Sequence, residues 1–478
     1  MQHSPRSCVY TFKTQPLNPD RMKTNLLLLI ALLLVGNAAD AQLPNTLTPE
    51  EKIYGLSYFW QEVNYNFVYL NQVDQTAWNE EYKRLIGEVV KTENDYEYYR
   101  LLQRFCAMLK DGHTNVYFPD DLQKMVYTSY FGDYRLFLTN VEGKAIITRV
   151  NASKKDEVPV GSEVVAVNGM PVKKYMEKYV TPYIASSTDF ILEDWSVMRL
   201  FQSPIGTSYD IDIVTPDGKK KQLKLTHAET KEQEVYPAWP DFELLSLSWP
   251  EPDVAYLALN SFGDEAIDSI FYARIPELRK AKKLIIDLRQ NGGGSSDVGF
   301  HILKHLVPDS TLAGSKMRSR MHIPSYKAWG VFTSAEDTVG DEWARMSYQY
   351  FHNEMYHNFD EFSERIPDGT ERIVVPTVIL TGHNTASAAE DFLIYADQQK
   401  HMIRIGEPTF GSTGQPLLME LPGGASARIC TKEDTFPDGR KFVGVGVMPH
   451  ISVVATIGDY RSNNDPALKA ALDYLSKL

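Results

Sequence analysis

Lys283-Leu284-Ile285-Ile286-Asp287-Leu288-Arg289-Gln290-Asn291-Gly292-Gly293-Gly294 decides the fold class of this chain. Its first half is an apolar run with no polar face, the pattern of a strand buried on both sides. Val254 to Phe262 (VAYLALNSF) reads as a second strand, Asp264 to Lys282 as a helix, and Asp297 to Val307 as another helix. Strands alternating with helices predict an α/β layer structure over residues 240–478. The three adjacent glycines let main-chain N–H groups approach a bound molecule with no side chain in the way. They do not make a phosphate loop, because their spacing is wrong and no Gly-Lys-Ser/Thr follows.

Farther along, Val374 to Thr381 is an apolar strand and Ala388 to Asp397 a helix that packs Phe392, Leu393 and Tyr395 inward. Ser387 stands where strand turns to helix. Free N–H groups and the helix dipole favour negative charge there, so the serine is a candidate nucleophile. Its simpler role would be that of a helix cap.

Upstream of residue 240 the chain changes character. Thr48-Pro49-Glu50-Glu51 spells a capping box that opens a helix running to about Tyr69, and a second helix spans about Trp78 to Val90. A third begins near Thr92, places Tyr98, Leu101, Leu102, Phe105 and Leu109 on one face, and stops at Asp111-Gly112, immediately before His113. Residues 42–120 thus form a helical region that delivers one loop. Residues 125–230 read as β structure: Gly161 to Gly169 is an alternating strand ending in an Asn-Gly turn, and Thr207 to Val214 with Gln222 to Leu225 form a hairpin across Pro216-Asp217-Gly218.

The 478-residue chain is 43% hydrophobic and 23% charged, which is globular, and its net charge of −13 argues against a nucleic-acid partner. Lys23, the apolar run Leu26 to Gly36 and Ala39-Asp40-Ala41 predict a signal peptide over 1–41, with Met22 as its natural start and Gln42 as the mature N-terminus. No stable membrane span is expected after cleavage, and the mature protein is expected to be periplasmic or secreted. Cys106 and Cys430 are isolated and read as buried apolar residues. His301 and His305 stand four apart on a helix, but without the HExxH glutamate or a third ligand they predict no metal site.

Three segments, in this order, resemble the C-terminal-processing (tail-specific) and tricorn-core serine peptidases of family S41: Asp111-Gly112-His113-Thr114, Asp287 to Gly294, and Thr385-Ala386-Ser387-Ala388-Ala389-Glu390. The resemblance covers nearly the whole mature chain. It implies a catalytic domain of the crotonase/Clp-protease type, with an N-terminal helical cap and an inserted PDZ-like β domain that "GSEVVAVNG" matches. About Lys173 to Pro204 is longer than a PDZ domain needs, and Phe131-Gly132-Asp133-Tyr134 lacks the usual carboxylate-loop pattern. The resemblance also implies an acyl-enzyme on Ser387, an oxyanion hole from the N–H of Gly293 or Gly294 and that of Ala388, a polypeptide substrate, and no cofactor.

The base separates two branches. Processing peptidases use a lysine in Thr-Phe-Gly-Lys, whereas this chain reads Thr409-Phe410-Gly411-Ser412, and Lys400 is carried away along the helix that Ser387 begins. Tricorn-type relatives use a histidine matching His113, whose free pKa near 6.5 suits proton abstraction at neutral pH. Two departures stand out: Gly112 replaces a serine, and Val443 fills the place of a glutamate ahead of Gly446-Val447-Met448-Pro449. The group orienting His113 is therefore open among Glu433, Asp434 and Asp111. A catalytically weakened member of the same fold that binds peptides or an apolar ligand is the competing expectation, and an esterase using the same serine a third.

Overall fold

The computed structural model describes residues 43–462 and 464–478; the leader expected over 1–41, with its start at Met22, lies outside the described residues. Three helices come first: α1 (Pro49–Asn66), α2 (Gln75–Val89) and α3 (Asp95–Ala107). The capping box at α1 is reciprocal. Thr48 Oγ1 accepts the Glu51 N–H at 3.2 Å and Glu51 Oε2 accepts the Thr48 N–H at 2.9 Å. The start expected near Thr92 moves to Asn94, whose side chain accepts the Glu97 N–H, while Thr92 Oγ1 turns back to Val89 O and closes α2. Asn and Thr both cap helices; here the hydroxyl is spent on the preceding turn.

The next region is antiparallel. Its path pairs β1 (Tyr134–Val141) with β2 (Lys144–Asn151), β2 with β3 (Glu163–Val167), β3 with β4 (Ser208–Val214), and β4 with β5 (Lys220–Thr226). Asn168 and Gly169 both take positive φ (49° and 73°), as a tight two-residue turn requires. The long stretch between β3 and β4 folds as two helices, α4 (Val172–Tyr179) and α5 (Asp189–Met198). The Gly132 N–H is spent on Ala228 O at 3.1 Å, so this loop does not hold that donor open.

The last region is a sheet in the order β6 (Leu245–Glu251), β7 (Val254–Leu259), β8 (Lys283–Asp287), β9 (Thr377–Thr381), β10 (Met402–Gly406), with Ile451–Ser452 at the far edge. Only β6–β7 is antiparallel. Alternate residues of β8 and β9 face opposite ways. Leu284, Ile286 and Ile379 join a core with α6 (Ala266–Leu278), α7 (Ser296–Leu303) and α8 (Ala388–Ala396). Ile285, Val378 and Leu380 pack against α9 (Pro466–Leu475) on the other face. Two covered faces are why the strand reads as an unbroken apolar run.

One element crosses the boundary drawn at residue 240. The hairpin β11 (Pro416–Leu421) and β12 (Ala425–Cys430) leaves the α/β region and buries Met419, Leu421, Ala427 and Ile429 in the core of α1–α3. Strand Asn115–Tyr117, just past His113, pairs antiparallel with β12. This pairing fixes the loop that carries the histidine.

Candidate active site

β8 and β9 are parallel neighbours, with Asp287 beside Leu380, so the loops leaving their C-terminal ends emerge side by side. Asn291 joins those loops. It is fully buried, its Nδ2 donates to Leu259 O at 3.0 Å, its Oδ1 accepts the Gly293 N–H at 2.9 Å, and its carbonyl accepts the Ala386 N–H at 3.0 Å. The Gly293 donor is therefore committed. Gly293 serves as a spacer instead: a Cβ there would stand 2.8 Å from Ser387 Cβ and 2.9 Å from Ala388 N. Of the two glycines expected to supply an oxyanion donor, Gly294 is the one that lines the cleft beside Ser387.

Ser387 is the N-cap of α8, with φ 55° and ψ −122°, a backbone conformation that L residues occupy only under local constraint. Ala388 follows as the first helical residue, and its N–H has no acceptor within the helix. Three residues on, Glu390 is fully buried. Its carboxylate accepts the N–H of Ser387 (3.1 Å), Gly411 (2.9 Å) and Ser412 (3.3 Å) and the Thr409 hydroxyl. Burial pushes its pKa up to about 8, while the four donors pull it down. Glu390 thus joins the nucleophile turn to the 409–412 loop. The Ser-x-x-Glu spelling carried that signal.

His113 is 8% exposed. Its Nδ1 lies 2.7 Å from Ser412 Oγ, and Ser412 Oγ reaches Asp111 Oδ1 at 3.5 Å. Asp111 also accepts hydroxyls from Thr114 (2.6 Å) and Ser187 (3.3 Å). With Nδ1 occupied by this chain of hydroxyl and carboxylate, Nε2 is the ring nitrogen left to take a proton. Burial, with Arg428 and Lys432 nearby, pushes the His113 pKa down to about 4. That lies below the free-imidazole value near 6.5, so burial favours the neutral ring.

Among the acids left open, Glu433 pairs with Arg318 and Lys441, Asp434 pairs with Lys432 at 3.0 Å, and Asp111 is the one linked to His113, through Ser412. Gly112 is dictated by packing, since a Cβ would stand 2.6 Å from the Phe410 ring and 3.2 Å from Ser412 Cβ. A serine at that place has no room.

His113, Ser387, Gly292, Gly294, Trp195 and Phe410 line one open cleft of about 610 Å³. Trp195 comes from α5, whose Asp194 also meets Nδ1 of His383 in the nucleophile loop at 2.5 Å. The long segment between β3 and β4 therefore walls the cleft, a role that sequence spacing does not reveal. Lys400 lies exposed beyond α8. His301 binds Asp268 at 2.7 Å and His305 the Glu371 carbonyl at 2.8 Å; among the described residues no cluster of three or more metal-ligating side chains forms. Cys106 and Cys430 are buried free thiols.

A family model, Peptidase family S41, matches residues 253–453, the stretch that holds the glycine loop, Ser387 and Ser412. Over that stretch the chain is similar to family S41. This serine-type peptidase is 22% identical over 461 residues to a carboxyl-terminal-processing protease of Synechocystis sp., covering 94% of this chain and 92% of the relative. A second carboxyl-terminal-processing protease, from Picosynechococcus sp., is 24% identical over 229 residues, 47% of this chain and 45% of that one. Among solved structures, mature CPAF complexed with lactacystin superposes on this chain with a TM-score of 0.63 at 16% identity, over 90% of this chain and 97% of the other. That likeness speaks to the mixed α/β fold. No described helix of this peptidase is long and apolar enough to cross a membrane.

Proposed function

We propose that this peptidase is an exported endopeptidase that cleaves unfolded polypeptide through an acyl-enzyme on Ser387, with His113 as general base. The observation that carries the reading is the His113–Ser412–Asp111 chain, which engages Nδ1 and leaves Nε2 as the free ring nitrogen of a histidine that lines the same cleft as Ser387. Ser387 Oγ attacks the scissile carbonyl as its proton passes to Nε2. The oxyanion is held by the N–H of Gly294 and of Ala388, where each donor is worth about 3–4 kcal/mol. Collapse expels the amine, which takes the proton from the imidazolium, and water repeats the sequence against the acyl-enzyme.

In this reading 240–478 is a crotonase/Clp-like catalytic domain, 42–120 a cap that supplies the base, and 125–230 a PDZ-like domain whose own insertion walls the cleft. Residues 1–41 are the signal that sends the enzyme to the periplasm or beyond. The test is a serine-reactive phosphonate followed by peptide mass mapping. Adduct on Ser387, lost in His113→Ala, supports the reading; an unmodified Ser387 in active-concentration probe, with casein left intact, rejects it in favour of a binding protein.

A further inference from the structure

A second cavity, of about 490 Å³, opens where α3 of the cap meets α4 and α5. Arg100 enters it from α3 and Arg199 from the end of α5. Both residues are half-buried, and desolvation lowers the pKa of both guanidinium groups, while the charge of Arg100 further lowers that of Arg199. Two cations thus share one partly desolvated hollow, an arrangement that an anion between them would stabilise. Among the described residues neither pairs with a carboxylate. Arg100 donates once, to Gln103 Oε1 at 2.9 Å, and stacks 3.7 Å from the Tyr183 ring centre; Arg199 stacks 4.6 Å from that of Trp195. Stacking offsets part of the charge and leaves most of the ten N–H donors without an acceptor.

The other charged residues of the wall, Glu88, Lys91 and Glu97, have partners other than the two arginines. Glu88 pairs with Lys91 at 3.2 Å, and Glu97 accepts the Glu93 N–H at 2.9 Å. The remaining lining mixes tyrosines and apolar side chains (Tyr96, Tyr175, Tyr179, Leu200) with the polar Thr92, Gln202 and Ser203. Two guanidinium groups in a tyrosine-walled, partly polar hollow suit a carboxylate, with aromatic surface beside it for the group that carries it.

We propose that Arg100 and Arg199 form a carboxylate-binding pocket, separate from the catalytic cleft and joined to it through α5. Trp195, which lines the cleft, and Arg199, which lines this pocket, stand one helical turn apart, so an occupant here presses on the wall of the other site. Two sources present this chemistry: the free C-terminus of a peptide and a small free carboxylate. The proposal does not depend on the catalytic assignment, since binding is measured with Ser387→Ala.

The experiment is fluorescence anisotropy on that chain with a labelled octapeptide ending in phenylalanine, as the free acid and as the C-terminal amide, with N-acetylphenylalanine as competitor. The acid is expected to bind at least about tenfold tighter than the amide, and Arg100→Gln or Arg199→Gln to erase the difference. Displacement by excess N-acetylphenylalanine supports the pocket with a small carboxylate as occupant; no displacement, with the acid preference intact, supports it with a peptide end. Equal binding of acid and amide overturns the proposal, and needs no variant that must fold. So does an acid preference unchanged in both arginine variants.

Discussion

Ser412 Oγ lies 2.7 Å from Nδ1 of His113, although 299 residues separate them. The position where processing peptidases carry their lysine is thus occupied here by the group that holds the histidine. Ser412→Ala removes the link between His113 and Asp111, and kcat/KM on a peptide substrate is expected to fall about a hundredfold, within the usual range for general-base assistance. Ser412→Thr, which keeps the hydroxyl, is expected to recover part of the loss. Equal losses in both variants would mark a packing role.

With His113 as the proposed base, its depressed pKa is expected to set the acid limb of the pH–rate profile. kcat/KM reports the free enzyme, so it is expected to rise through about 4 and to be flat between pH 6 and 7, where a free imidazole is still titrating. Arg428→Gln removes one of the positive charges that lowers this pKa and is expected to move the midpoint upward. The stability term has a definite sign. A folded pKa below the unfolded 6.5 contributes stability that is full above 6.5 and is lost as pH falls toward 4. Thermal melts of wild type and His113→Ala across that window check it.

Ser387 sits at φ 55°. Ser387→Ala is expected to abolish turnover while keeping the strained turn, whereas Ser387→Gly relaxes it. The glycine variant should melt higher than the alanine variant by about 1 kcal/mol of stability, and be equally inactive. Identical melting temperatures would mean the turn is unstrained.

Glu390→Gln replaces a four-fold acceptor with a group that accepts at one atom only. Whichever way the amide turns, at least one N–H donor (that of Gly411, or those of Ser387 and Ser412) loses its partner, at about 1–3 kcal/mol each. Since burial holds the Glu390 pKa at about 8, above the ordinary 4.5, its stability contribution is present below 4.5 and fades as pH rises toward 8. The gap in melting temperature between wild type and Glu390→Gln should therefore narrow from pH 4.5 to 8.

Gly112→Ala drives a methyl into the Phe410 ring and is expected to cost about 1–3 kcal/mol and to displace His113. Phe410→Leu in the same chain frees the space and should restore stability. Absence of rescue would place the cause elsewhere.

Much of this was legible from local pattern. The β8 run, the Thr48 capping box and the strand-to-helix turn at Ser387 are each set by neighbours in sequence, so periodicity and turn chemistry suffice. What escaped depends on partners far along the chain. Asn291 stands only two residues before the Gly293 N–H that it takes, but the Leu259 carbonyl that aims its side chain lies 32 residues away. Ser412 looks like a lost lysine until the His113 loop is laid against it. The hairpin 416–430 reads as part of the α/β region because its apolar residues give no hint that their core lies among α1–α3.

That hairpin also fixes when the enzyme comes to life. The loop bearing His113 is held by β12, and its orienting hydroxyl is residue 412, so a chain emerging N-terminus first displays its histidine long before anything can aim it. Contacts across some 300 residues form late, after slow loop closure. With His113 as the proposed base, the ring gains its Nδ1 partner only after residue 412 has been made and folded against the cap, so the competence to hydrolyse is expected to arrive with the finished fold.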